Sequence, residues 1–178
     1  MALKHTLLAF LARQSLSGYE IAKEFEEGFG SCFWKASQQQ IYAELAKLEQ
    51  QGEISYEAIP QLGRLDKKIY SLTPQGQQHL VDWLQRPTEP TVIREDLGVM
   101  GLAGHLIPPQ AVVRELGRRR ALHAEKLRQM QTLTTTLPMG SPESKDLYMH
   151  LILRRAIRYQ EDWVAWCDEA LQAIAQHG

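Results

Sequence analysis

From Ser37 to Gly52 the chain spells out one whole helix, start signal to stop signal, and a strand pattern begins almost at once after it. Ser37-Gln38-Gln39-Gln40 has the S-x-x-Q form of a capping box. In it the serine oxygen accepts from a free backbone N–H and the glutamine reaches back. Ile41, Leu45 and Leu48 follow at i, i+4, i+7, a single inward stripe. Gly52 stands just past the last turn, where a glycine closes helices. Ile54 to Ile59 then alternates loosely as a strand, Pro60 to Asp66 is a loop containing Gly63, and Lys67 to Leu72 is the return strand. Few small folds deliver a short helix straight into a hairpin.

The flanking segments narrow the choice further. Leu3, Leu7, Leu8, Phe10 and Leu11 mark a first apolar helix, broken near Ser15–Gly18. Ser17-Gly18-Tyr19-Glu20 is a second capping box, opening a helix with Ile21, Ala22 and Phe25 on one face and ending around Gly28–Gly30. After the hairpin, Thr73-Pro74 is a strong helix start, threonine as cap and proline at the first helical position. The helix it opens carries Leu80, Val81 and Leu84 before Arg86-Pro87. The order helix, helix, helix, hairpin, helix is that of a winged helix-turn-helix.

Pro87-Thr88-Glu89-Pro90 reads as a hinge. The expected division is a winged domain over residues 1–86 and a helical domain over 91–178, in a chain mainly α with one small β-hairpin. Gly98, Gly101 and Gly104 fall at i, i+3, i+6, so either the backbone is approached closely there or the helix is irregular. Pro108-Pro109 begins a long helix to about Leu137, Pro138 to Ser144 is a turn, and a last helix runs from about Pro142 to Gln176. On that last helix Met149, Ile152, Ala156, Tyr159, Trp163 and Trp166 recur in alternating steps of three and four, a coiled-coil-like seam expected to hold a homodimer. A second row, Leu153, Ile157, Val164 and Leu171, widens the stripe, and a helix apolar on two faces needs more than one partner.

Bulk properties exclude several classes. No apolar run approaches the ~18–20 residues that span a bilayer, and no secretory signal is present, so a cytoplasmic protein with no membrane role is expected. Cys32 and Cys167 lie far apart and suit a reduced compartment. The six histidines have no metal-ligand spacing and the cysteines form no C-x-x-C, so neither a metal nor a cofactor is expected. No nucleophile elbow, phosphate loop or dinucleotide glycine pattern occurs, which argues against an enzyme. Charge argues mildly against nucleic acid as well. Residues 1–85 hold eight Lys/Arg against ten Asp/Glu, a net of 8 − 10 = −2.

In a helix-turn-helix the second helix of the pair enters the major groove. Its outer face here, opposite Leu45, holds Gln39, Gln40, Ala43, Lys47 and Gln50. Glutamine can pair with adenine, alanine can meet a thymine methyl, and lysine can reach guanine or phosphate. Ser37, Gln38 and the preceding Lys35 complete the leading end, although Gln40 has two claimants, the cap and a base. Tyr42 sits only about 60° from Leu45 and fits either the core or the DNA-facing edge. Arg64, Lys67 and Lys68 supply a cationic wing for phosphates. The acidic cluster Glu24, Glu26 and Glu27 must then face away from DNA.

These residues resemble a known family. Gln40-Ile41-Tyr42-Ala43-Glu44-Leu45-Ala46-Lys47-Leu48-Glu49-Gln50-Gln51-Gly52 looks like the recognition helix of the PadR family, and Lys67 to Gly76 resembles its wing-to-helix passage, with Tyr-x-Leu-Thr-x-x-Gly. Gly18-Tyr19-Glu20-Ile21 matches the start of its second helix. The resemblance implies a prokaryotic transcription factor, usually a repressor, that binds double-stranded DNA and dimerises through C-terminal helices. It places Tyr42 at the DNA-facing edge. The longer helical tail resembles the virulence-activator branch in pattern and in its Trp-rich last helix, while effector and regulatory sign are not carried over.

Two alternatives stand beside a repressor on a palindromic operator: a winged protein-interaction module without DNA binding, and a ligand-responsive activator. Trp34, Trp83, Trp163 and Trp166 are candidates for a pocket taking a small aromatic effector, although at helical spacing such residues more often form core. Cys32, beside Phe33-Trp34, fits a buried inert thiol better than a redox switch.

Overall fold

The computed structural model describes residues 2–61, 66–89, 95–136 and 146–177. The chain divides into two compact units, Met1–Glu89 and Pro90–Gly178. The first contains α1 (Ala2–Arg13), β1 (Leu16–Ser17), α2 (Gly18–Glu26), a 3-10 turn (Phe29–Cys32), α3 (Gln38–Gln50), β2 (Ile54–Ile59), β3 (Lys67–Leu72) and α4 (Pro74–Leu84). The second contains α5 (Leu97–Ala103), a 3-10 turn (Gly104–Leu106), α6 (Pro109–Thr136) and α7 (Asp146–His177).

Both capping boxes form. The Ser17 N–H donates to Glu20 Oε2 at 2.8 Å while Glu20 N–H donates to Ser17 Oγ. At the head of α3 the Ser37 N–H donates to Gln40 Oε1 at 2.9 Å and Gln40 N–H to Ser37 Oγ at 3.2 Å. α3 ends in a Schellman motif: Glu53 N–H donates to Leu48 O and Gly52 N–H to Glu49 O, each at 3.0 Å. Gly52 takes φ 70° there, a left-handed conformation in which a Cβ would be strained. Thr73 caps α4 by accepting from Gly76 N–H, with Pro74 opening the helix.

The hairpin gains a third strand. β1 pairs antiparallel with β3, Leu16 opposite Tyr70 and Ser17 opposite Ile69, giving the order β1-β3-β2. Ile54 opposes Leu72 and Ile59 opposes Lys67 along the hairpin itself. The core of the unit joins Leu7, Leu8, Phe10 and Leu11 of α1 to Ile21, Ala22 and Phe25 of α2 and Ile41, Leu45 and Leu48 of α3. Ile54, Tyr70 and Leu80 close it. Val81 and Leu84, the other apolar residues noted on α4, are exposed. Only Leu80 of that trio is covered.

In the second unit α6 packs along α7. Leu116 and Met130 of α6 are buried, as are Leu153, Ala156, Gln160 and Cys167 of α7. Of the two explanations for the glycine series, irregularity holds among the described residues. A Cβ on Gly98 or Gly101 would meet nothing within 4 Å, and α5 is only seven residues long before the chain tightens into the 3-10 turn. Of the expected hinge Pro87-Thr88-Glu89-Pro90 only Pro90 lies outside the described residues, and so does the whole turn from Pro138 to Ser144. No helix among the described residues is long and apolar enough to cross a membrane.

Candidate nucleic-acid interface

α3 turns Ile41, Leu45 and Leu48 inward and leaves Gln39, Ala43, Lys47 and Gln50 exposed, as the period requires. Gln39 makes no hydrogen bond among the described residues, so its amide is free to donate and accept. Gln40 is different. Its carbonyl oxygen is held by the cap, with the Ser37 hydroxyl as a second donor at 3.3 Å, so the cap takes the group that base reading would need. Of its two claimants the cap is the one seen here. Ser37 is likewise occupied in the box, and Gln38 Nε2 donates to Glu26 Oε1 at 3.5 Å.

Tyr42 settles on the outer edge, half exposed, with its ring against the backbone of Gly18. A groove of about 650 Å³ joins it to the wing, lined by Gly18, Tyr19, Tyr42, Lys67, Lys68 and Tyr70 among others. The leading helix and the wing therefore share one surface. Lys68 Nζ lies 3.7 Å from the centroid of the Tyr56 ring, a cation–π contact that orients it. Lys35 is exposed at the approach to α3, and Arg64 lies outside the described residues.

Each described lysine of this surface, Lys35 aside, meets a carboxylate. Lys47 pairs with Glu44 at 3.4 Å, Lys67 with Glu20 at 3.1 Å and Lys68 with Glu49 at 3.4 Å. Hydrogen bonds from the Ser17 hydroxyl and backbone, then the Lys67 ammonium, hold the Glu20 carboxyl down at about 2 against partial burial. These acids were not anticipated from the sequence, where Glu20 reads only as a cap. The acidic cluster of α2 also divides. Glu24 accepts from Phe29 N–H and Glu27 lies 4.0 Å from Lys23, but Glu26 turns toward the start of α3 rather than away from it.

The aromatic candidates fall into separate settings. Trp83 stacks on the buried His5 ring at 4.1 Å, and Trp34 packs against the core of the first unit, so both rings serve packing there. In the second unit Trp163 stacks on His123 at 4.6 Å, with planes 1° apart, and Trp166 meets Trp163 edge-on. His123 Nδ1 is 2.6 Å from Gln160 Oε1. Of the seam residues, Ile152, Tyr159 and Trp166 are exposed, while Ala156 is buried within the protomer and Trp163 is engaged by His123. Burial pushes the Cys32 thiol up, opposed by a hydrogen bond with Ser31, which suits an inert thiol.

Known proteins share this arrangement along the whole chain. Residues 7–82 match the model of the transcriptional regulator PadR-like family, and residues 93–175 match that of the virulence activator alpha C-terminal domain. A probable transcriptional regulator of Mycobacterium tuberculosis is 30% identical, covering 99% of this chain and 99% of that one. The chain belongs to the PadR-like family. Members of this family are transcriptional regulators, and so is this protein. The negative transcriptional regulator PadR of Bacillus subtilis is also 30% identical, over 97% of both chains. Its crystal structure in complex with operator DNA superposes with a TM-score of 0.82 over 98% of this chain and 99% of that one. A further crystal structure of the same PadR contains p-coumaric acid, with a TM-score of 0.76 over 98% and 99% of the two chains at 30% identity. The virulence activator AphA of Vibrio cholerae is 25% identical, with a TM-score of 0.76 over 99% of each chain. The PadR-like likeness thus extends through the C-terminal helices as well as the winged unit.

Proposed function

We propose that this PadR-like protein is a homodimeric repressor whose paired α3 helices read a palindromic operator. Half-sites lie one or more helical turns apart, about 10 bp each. The observation that carries the reading is the groove in which Tyr42 of α3 meets Lys67 and Lys68 of the wing, beside an α3 face that leaves Gln39, Ala43 and Lys47 exposed. Gln39 and Ala43 read base edges. Lys35, Lys67, Lys68 and Arg64 take phosphates. Ser37, Gln38 and Gln40 act by building the helix start. Residues 1–89 serve DNA and residues 90–178 serve dimerisation, through Ile152, Tyr159 and Trp166 on the open face of α7, with Met149 beside them. Binding of B. subtilis PadR to operator DNA and its standing as a negative regulator support the repressor sign.

A small aromatic acid is the effector class, supported by p-coumaric acid in that relative and by the rings of Trp163, Trp166 and Tyr159 gathered around His123 here. The protein acts in the cytoplasm, without catalysis of its own. Mobility-shift titration on genomic fragments tests the whole reading. The protein retains one set of palindromic fragments, and Gln39→Ala loses that preference while keeping its affinity for random DNA. Equal loss on operator and random DNA removes Gln39 from base readout, and no retained fragment at low salt refutes the DNA-binding reading.

A further inference from the structure

We infer that Glu20 and Glu49 act as internal competitors of DNA phosphate, each occupying a wing lysine and so limiting sequence-independent affinity. The inference rests on the DNA-binding reading above. Both pairs tie separate elements together: Glu20 of α2 holds Lys67 of β3, and Glu49 of α3 holds Lys68 of β3. The β1–β3 register, Ser17 opposite Ile69, brings the α2 capping box alongside the wing strand and makes the first pair possible.

The cap at Glu20 does not depend on a negative charge. Its oxygen Oε2 accepts from the Ser17 backbone and hydroxyl, leaving Oε1 for Lys67. α3 shows what the cap itself requires, because Gln40 fills the same N3 place with a neutral carbonyl oxygen. A glutamine can therefore fill the cap, and the carboxylate, held chiefly by the Ser17 hydrogen bonds, extends its charge to Lys67 as well. At Lys68 the Tyr56 ring already orients the ammonium, and Glu49 adds neutralisation to that orientation.

Non-specific affinity comes from lysines neutralising phosphates and releasing counterions. A lysine that arrives paired must exchange a carboxylate for a phosphate, and the displaced carboxylate then faces the DNA backbone. Exposed pairs of this kind open readily, so they temper binding without blocking it. The negative charge of the winged region, puzzling for a DNA reader, acquires a purpose at these two places: it lowers attraction to the many competing sites of a genome.

The test uses the full-length protein, a random-sequence duplex and a range of salt concentrations. Glu20→Gln and Glu49→Gln each tighten random-DNA binding about threefold, and the double variant about tenfold. The salt slope steepens by up to about 0.9 for each phosphate newly engaged. Asp82→Asn removes one charge from α4, where Asp82 accepts from Gln78, and serves as the control. An unchanged random-DNA affinity overturns the inference, as does an equal gain in Asp82→Asn, which would reduce the effect to overall charge. Glu49→Gln decides alone if Glu20→Gln lowers the melting temperature. Wild-type protein on its retained genomic fragment separates the two failures: binding there with unresponsive variants defeats this inference only, and no binding at all defeats the DNA reading beneath it.

Discussion

The Tyr42 ring lies so close over Gly18 that a Cβ at residue 18 would stand 2.4 Å from Tyr42 Cε1 and 2.9 Å from Cζ. This contact joins the first residue of α2 to the recognition helix, and it leaves Tyr42 at the mouth of the groove shared with Lys67 and Lys68. The obstructing atoms are the far end of a side chain that is half exposed, so the ring can swing away at small cost to stability. Gly18→Ala is therefore expected to change the melting temperature little while weakening operator binding. Tyr42→Ala should give a similar loss, and the double variant no more than either alone, because both remove one placement of one ring. Full additivity in that cycle would show that Gly18 acts independently of Tyr42.

Glu53 is the node between recognition helix, wing and α4. Its Oε1 receives Lys4 Nζ at 2.7 Å and His79 Nδ1 at 3.0 Å, and its backbone oxygen receives the Thr73 hydroxyl at 2.9 Å. Burial pushes the Glu53 carboxyl up, but the hydrogen bonds and charges of Lys4 and His79 outweigh it, leaving the group below its ordinary value of 4.5. Below that value the unfolded chain binds the proton first, so the pair's stabilisation is present above about pH 4.5 and fades as pH falls through the folded value. Lys4→Met should cost about 1–3 kcal/mol at neutral pH and move the acid limb of unfolding upward. Thermal melts between pH 7 and pH 3 test this, and a limb that Lys4→Met leaves in place would assign the acid sensitivity elsewhere.

How much of this was legible beforehand follows from range along the chain. Ser17, Ser37, Gly52, Thr73 and Pro74 act on neighbours within a turn, and each marked its helix end correctly. β1 escaped notice because two residues carry no period. Of Leu80, Val81 and Leu84 only Leu80 is covered, because apolar spacing shows that a stripe exists, not how much of it a partner covers. The Glu20–Lys67 and Glu49–Lys68 pairs were invisible for a different reason. They depend on sheet register between segments far apart in sequence, so lysines that read as free cations arrive already paired. Gln40 is ambiguous from sequence because one amide can serve two roles, and the 2.9 Å contact from the Ser37 N–H shows the capping role formed.

The aromatic cluster of the second unit predicts a spectroscopic response. Trp166 offers an exposed indole beside the Trp163–His123 stack. Addition of p-coumaric acid to the full-length protein is expected to quench tryptophan fluorescence and to release operator DNA over the same concentration range. Trp166→Phe should reduce the quenching, whereas Trp83→Phe, whose indole is stacked on His5, should preserve it. Quenching lost with Trp83 and kept with Trp166 would move the effector to the winged unit.

The two faces of α7, one buried and one open, can be told apart by mutation. Leu153, Ala156, Gln160 and Cys167 are buried within the protomer, and α7 packs along α6. Ile152, Tyr159 and Trp166, spaced a heptad apart, keep 44%, 44% and 41% of their surface and form the row proposed to meet a second subunit. Ile152→Arg and Tyr159→Arg are therefore expected to yield a helical monomer by sedimentation velocity, with operator affinity lost because two half-sites are no longer engaged together. Leu153→Ala acts on the other row and should destabilise the protomer itself by about 2–5 kcal/mol. If Ile152→Arg and Tyr159→Arg both sediment as wild-type dimers, the subunits meet on a different surface. The exposed apolar residues of α5, Val99 and Leu102, would be the next to substitute.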